Sequence, residues 1–206
     1  VSLWGEIPGQ DGYSAYTVAS YGVLFFVIAT HMKSRAQIGR LLTAVALMGF
    51  LVGLYGVLQH LGYDFLNITE STGGGRQRVT IFMGNAIFAG AVLAMTIPAT
   101  LLIAAVILQR ELLRDWELLS ESKQLAWDFV ITTFWGLILT GQLLGLIFTF
   151  SRGPWSGTVF SLLVLLGFVF VGFGWRALIR MGLVLGLASV FTVAFLHWQG
   201  NIKVVD

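Results

Sequence analysis

The sequence specifies an all-α fold, a polytopic integral membrane protein of about six transmembrane helices, and three observations carry that expectation. Of its 206 residues 57% are hydrophobic and only 11% charged, with a mean hydropathy of +0.85. A soluble domain carries roughly 25% charged residues, so the charge here is too sparse to coat a globule. The apolar residues also fall in six long runs, each close to the roughly 20 residues that a spanning helix needs. These runs are too long for strands and do not alternate with a period of two.

The six expected spans are 13–30, 41–60, 86–108, 127–150, 155–173 and 177–196. None has a charge near its middle, and Asp128 lies at the edge of the fourth. Pro98 falls inside the third, where neighbouring helices can satisfy the carbonyl that a proline frees. Gly49, Gly53 and Gly56 in the second suit close helix contact, because packing drives helix association in lipid. Gln142, deep in the fourth, needs a hydrogen-bond partner; a neighbouring helix is preferred over a substrate for that role. Trp4, Trp127, Trp155, Trp175 and Trp198 sit near span ends and read as interfacial anchors.

Together the spans form a single transmembrane domain over 1–206. The chain begins at Val1 and shows no basic segment followed by a short apolar stretch and a cleavage site, so no signal peptide is expected. It reads as a fragment of a longer chain. The formal net charge of +2 implies no nucleic-acid partner, and the absence of cysteine excludes disulfides, thiolate metal sites and a cysteine nucleophile.

Orientation follows from the distribution of Lys and Arg between alternate connections. Lys33, Arg35, Arg40, Arg110, Arg114, Lys123, Arg176 and Arg180 fall on one side; Arg76, Arg78, Arg152 and Lys203 fall on the other. The richer side is expected to face the cytoplasm, which turns both chain ends and the connections 61–85 and 151–154 outward. The cytoplasmic stretch 109–126 places Leu112, Trp116, Leu119 and Lys123 near one helical face. It reads either as an interfacial helix on the inner leaflet or as a solvated connector.

The outward arginines are the chemically informative residues. Arg152 has no acid nearby in sequence, and Asp64 and Glu70 precede Arg76 and Arg78 by several positions. A helix-end arginine can reach lipid phosphates at little cost. Yet the positive-inside bias disfavours arginine on this face, so topology does not account for them. Ser151 offers a hydroxyl, and Gly153 and Pro154 are expected to form a tight turn that presents Arg152. "GGGRQR" (73–78) sets glycines immediately before two guanidinium groups; it reads as a flexible loop or as part of a ligand site, and it is not a P-loop. Arginine suits bidentate phosphate recognition, so a phosphate-bearing, lipid-anchored ligand is the natural partner.

"RVTIFMGNAIFAGAVLAMTIPATLL" (78–102) resembles a segment of the O-antigen ligase and polymerase superfamily. Arg78, Gly84, Asn85, Ala89, Gly90 and Pro98 match its layout, while Ala86 and Ile87 replace the commoner Pro-Asn and leave a second Asn without a bearer. "LGLIFTFSRGPWSGTVFSLLVLLGF" (144–168) resembles the family's other signature, with Ser151, Arg152 and Gly153 in place. "LYGVLQHLGYD" (54–64) is similar to the stretch before the first motif, through Gly56 and Gln59. The likeness covers most of 41–173.

The resemblance implies part of a GT-C-type glycosyltransferase membrane domain in a bacterial cytoplasmic membrane. It implies transfer of a glycan from an undecaprenyl-pyrophosphate carrier to lipid A-core, another glycan or a protein, with no cofactor and no metal. Arg78 and Arg152 occupy the positions of the family's pyrophosphate-holding arginines, with Arg76, Asn85 and Ser151 as further substrate-binding candidates and Gly84, Gly153 and Pro154 shaping the site. The family's base is a histidine in a large outer loop; here His197, close to the last span, is the one weak catalytic candidate. His60 is expected to be packed or lipid-facing. Two other function classes stay open: a membrane transporter, for inorganic carbon or another solute, and a non-catalytic membrane subunit. A transporter should carry charged or broken-helix sites near the midplane, and the sequence places no charge there.

Overall fold

A computed structural model describes residues 15–65, 78–113 and 121–202, and every helix or strand assigned among them is an α-helix. In chain order these are α1 (Ala15–His31), α2 (Arg35–His60), α3 (Ala86–Leu113), α4 (Glu121–Phe148), α5 (Arg152–Phe173) and α6 (Trp175–Ile202). Among the described residues α2 to α6 contain five segments long and apolar enough to cross a membrane, whereas the apolar part of α1, Val18–His31, is shorter. The 17 residues of α1 reach about 25 Å at 1.5 Å per residue, less than the roughly 30 Å of a hydrocarbon core. The expectation of six spans is met by five helices of spanning length and one shorter apolar helix.

The chain divides into two compact units, Val1–Leu41 and Leu42–Asp206. The first contains α1 and the opening turns of α2. Here α2 starts six residues earlier than hydropathy suggests, and the cause is a capping box. Ser34 Oγ accepts from Gln37 N at 3.2 Å, and Gln37 Oε1 accepts from Ser34 N at 3.0 Å. Two of the donors left over at a helix start are thus satisfied reciprocally.

In the second unit α3 and α4 are central. Half of the spanning window of each is buried, against 11% for α5 and 22% for α6. Both α3 and α4 pack on α6, and α3 also packs on α4 and α5. Leu93, Ile97 and Leu101 recur every fourth residue along one face of α3 and are fully buried, as are Leu139 of α4 and Val184 and Ala188 of α6. The outward faces are equally apolar: Phe160, Phe168 and Val171 of α5 are largely exposed, as lipid-facing side chains are.

Because lipid is as apolar as leucine, contact between such helices depends on fit and on polar pairs. Both are present where α2 meets α4. Gly49 and Gly53 of α2 and Gly141 and Gly145 of α4 are each spaced four apart, and the two backbones touch: a methyl group on Gly145 would lie 2.7 Å from Gly53 Cα. Beside this contact Gln142, fully buried, donates from Nε2 to Ala46 O at 2.9 Å and to Thr100 Oγ1 at 2.8 Å. Gly49 makes the room, since a Cβ there would come within 2.8 Å of Gln142 Nε2. The preferred role of Gln142 as a helix contact is the one observed. Pro98 lies within α3 and does not divide it.

At its two ends the stretch 109–126 continues its neighbours, since α3 runs to Leu113 and α4 begins at Glu121; Trp116 and Leu119 lie outside the described residues. One local expectation is corrected: Gly153 and Pro154 do not form the turn. They belong to the first turn of α5, and the chain reverses earlier, at Thr149 and Phe150. Proline fits there because a first-turn N–H has no partner within the helix. Pro154 is buried against α3, where a Cβ on Gly90 would meet its ring at 2.8 Å.

Candidate functional site

The end of α2, the start of α3, the end of α4 and the start of α5 gather at one end of this bundle. Phe195 of α6 joins them through a ring contact of 6.5 Å with Phe148. Residues 78–85 lead into α3 and are held there on two sides. Val79 N donates to Phe148 O at 3.2 Å, which ties the segment to the last turn of α4. Gln59 Oε1, at the end of α2, accepts from Thr80 N at 3.0 Å and from Ile81 N at 2.9 Å.

Arg78 is half-buried in this frame. Its Nε donates to Thr149 O at 3.1 Å and its Nη2 to Ser151 Oγ at 2.7 Å. A guanidinium carries five N–H donors, so three remain for a ligand after these two bonds among the described residues. Ser151 is 3% exposed and sits at the N-cap position of α5, but its side chain makes no capping bond. Its hydroxyl accepts from Arg78 and donates to Thr149 O at 3.2 Å. The start of α5 therefore keeps its N–H groups and the positive end of its dipole without a side-chain cap. Arg152, the first residue of α5, is exposed. The turn between α4 and α5 thus anchors one guanidinium, carries a second that is exposed, and leads into an uncapped helix start. Each favours an anion.

Backbone strain accompanies the arrangement. Ile81 has φ 55° and Phe150 φ 48°, both in the left-handed region. A β-branched residue seldom adopts that conformation, and such outliers persist only where surrounding contacts over-determine them. Ile81 is fully buried, its Cδ1 lies where Gly56 leaves space, and Tyr55 stacks on the adjacent Phe82 with ring centroids 4.5 Å apart. Gly84, at φ 63°, takes the same region without strain.

The remaining candidates separate. Asn85 caps α3, with Oδ1 accepting from Ile87 N at 2.8 Å. Gly153 has open space around it, whereas Pro154 is a packing residue between α5 and α3. His197 is exposed on α6, two residues past Phe195. His60 stacks on Phe148 with centroids 3.7 Å apart. Arg76 lies outside the described residues. Trp155, expected as an anchor, also donates from Nε1 to Leu146 O at 2.9 Å and so caps the end of α4.

In the sequence Gln59 stands out only through the family resemblance, and Asp64 only as one of the two acids that precede Arg76 and Arg78. In the structure they are bonded: Gln59 Nε2 donates to Asp64 Oδ2 at 3.2 Å, and Tyr55 OH donates to Asp64 Oδ1 at 2.7 Å. The available signal was an amide side chain at the end of an apolar helix, which requires partners as Gln142 does. Comparisons with family models, with curated proteins and with solved structures returned no match for this chain.

Proposed function

We propose that this end of the bundle binds the pyrophosphate of a lipid-linked glycan and that the protein transfers the glycan to an acceptor at the outer face of a bacterial cytoplasmic membrane. One observation carries the reading: Arg78 is hydrogen-bonded to Ser151, the residue immediately before Arg152. One arginine of the family-like motifs is thereby bonded to the residue that precedes the other, beside an uncapped helix start. The five helices long and apolar enough to cross a membrane suit a donor carried by a polyprenyl chain. The likeness to O-antigen ligases and polymerases, and through them to a GT-C-type membrane domain, supports the same reading.

In such a reaction an acceptor hydroxyl attacks the anomeric carbon, the bond from that carbon to the pyrophosphate oxygen breaks, and negative charge develops on the departing oxygen. Guanidinium groups already fixed in place stabilise that charge, and more strongly at a low-dielectric membrane boundary than in water. The anchoring of Arg78 on Thr149 O and Ser151 Oγ supports such preorganisation. The acceptor's proton needs a base, for which His197 is the candidate on this chain.

The interior favours this reading over transport. Gln142 is fully buried and bonded, and the backbones of α2 and α4 are in contact at Gly53 and Gly145. Substituting Arg152→Lys, and separately Arg78→Ala, is expected to abolish glycan transfer with membrane insertion unchanged. Full transfer activity in both variants overturns the proposal.

A further inference from the structure

Gln59 is 2% exposed and its amide orientation is set by its partners. The N–H groups of Thr80 and Ile81 can only donate, so the atom facing them, at 3.0 and 2.9 Å, is the oxygen. That turns Nε2 toward Asp64 Oδ2 at 3.2 Å, while Tyr55 OH fills Asp64 Oδ1 at 2.7 Å. The two N–H groups belong to residues two and three positions past Arg78, and one of them is Ile81 in its left-handed conformation. On the α2 side, then, the hydrogen bonds that hold the backbone at 80 and 81 run to one side chain, Gln59, whose amide is oriented between those N–H groups and the Asp64 carboxylate.

We infer that Gln59, oriented by Asp64, is a positioning residue that sets where the Arg78 guanidinium lies at the anion site. This rests on the pyrophosphate-binding reading. Gln59 acts through the backbone at 80 and 81, and it needs no contact with the ligand.

The test uses near-isosteric exchanges, so that volume is kept and only donor and acceptor character changes. In Gln59→Glu the new carboxylate can still accept from Thr80 and Ile81, but it faces the Asp64 carboxylate without a donor between them. In Asp64→Asn the amide can turn so that Oδ1 accepts from Gln59 and Nδ2 donates to the Tyr55 hydroxyl. In the double variant Gln59→Glu/Asp64→Asn, Nδ2 of the new Asn donates to the new Glu and its Oδ1 accepts from Tyr55. The bonds that join Tyr55, residue 59 and residue 64 are restored with the roles of the two side chains reversed.

The probe is farnesyl pyrophosphate, with farnesol as the uncharged control, bound to the protein in phosphatidylcholine nanodiscs. The second readout is the ¹⁵N-labelled Arg78 Nε–H resonance, assigned by its absence in Arg78→Lys and protected by the bond to Thr149 O. Gln59→Glu is expected to weaken pyrophosphate binding by about tenfold, the scale set by leaving a buried polar group mispaired. Asp64→Asn is expected to stay within about threefold of wild type, and the double variant to return there, because the bonds between Tyr55, residue 59 and residue 64 are kept. The Arg78 resonance is expected to shift or lose protection in Gln59→Glu and to recover in the double variant.

Unchanged binding in Gln59→Glu, or failure of Asp64→Asn to restore it, overturns the inference and leaves the pyrophosphate reading standing. If Gln59→Glu cannot be purified, weak binding by the folded double variant overturns it equally. If wild type binds farnesyl pyrophosphate no better than farnesol, the pyrophosphate reading fails. The Arg78 resonance then decides the positioning role alone: an unaltered signal in Gln59→Glu overturns it.

Discussion

Arg78 donates from Nη2 to the hydroxyl of Ser151 at 2.7 Å, a bond between residues 73 positions apart in the chain. Ser151 occupies the N-cap position of α5, yet its hydroxyl serves the arginine and leaves the helix uncapped. A residue that could do both would show which of the two the protein needs. Ser151→Asp supplies one oxygen for Arg78 and another for the helix start. It is expected to raise stability by about 1 kcal/mol, from a cap and a charge-assisted bond. It also places a negative charge where the pyrophosphate would lie, so affinity for farnesyl pyrophosphate is expected to fall by about tenfold or more. Thermal unfolding in detergent and ligand binding measure the two effects separately. Higher stability with undiminished affinity would place the anion elsewhere.

Close approach of α2 and α4 leads to a contrast between glycines. A Cβ on Gly145 would lie 2.7 Å from Gly53 Cα, and one on Gly53 would lie 2.9 Å from Gln142 Cα. Both obstacles are backbone and cannot move without parting the helices. Gly145→Ala is expected to destabilise the protein by about 1–3 kcal/mol, as overpacking of a tight interior does. Gly186→Ala on α6 has open space around its Cβ and is expected to be neutral or to stabilise by up to about 1 kcal/mol through helix propensity. Melting temperatures of the two variants in one detergent check the difference.

Helix positions are legible in the sequence because apolar length sets them: α3 begins at 86 and α5 ends at 173, as expected. What hydropathy does not encode is where polar side chains end or extend a helix. The Ser34–Gln37 capping box moves the start of α2 back from 41 to 35, though its S-x-x-Q pattern can be read from sequence. The turn near Arg152 departs from its expected place for a related reason. Gly-Pro suggests a reversal, but the reversal falls on Phe150, a residue whose identity disfavours the conformation it adopts. At the site the residue types were legible and their partners were not. Arg78 and Ser151 stood out as chemistry-bearing residues, whereas the bonds from Gln59 to residues 80, 81 and 64 depend on how three segments fold together.

Gln142 separates the enzyme reading from the transporter reading. Its amide bonds Ala46 O and Thr100 Oγ1 in the middle of the bundle, and it is fully buried. If its work is to join helices, Gln142→Leu should cost about 0.6–1.7 kcal/mol, the span measured for such bonds between helices in membranes. Glycan transfer by the folded protein should be unchanged. A variant as stable as wild type but without function would instead identify the midplane as the working site, which is where a transporter keeps its substrate.

The two left-handed residues near the arginines should respond in opposite directions when the strain is relieved. Phe150 is 38% exposed at φ 48°. Asparagine tolerates this region, and a non-glycine residue held there costs roughly 1–2 kcal/mol. Phe150→Asn gives up part of an aromatic contact, so a net stabilisation of about 0.5 kcal/mol is expected once both terms are set against each other. Ile81 shares the backbone conformation, at φ 55°, but is fully buried against Gly56. In Ile81→Gly the relief of strain is offset by the added freedom of the unfolded chain, which leaves the loss of a core side chain, about 3 kcal/mol. Unfolding measured for both variants tests the assignment of strain. If Phe150→Asn destabilises as strongly as Ile81→Gly, the reversal at residue 150 is held by the phenylalanine ring itself and not imposed on it by the bonds that anchor Arg78.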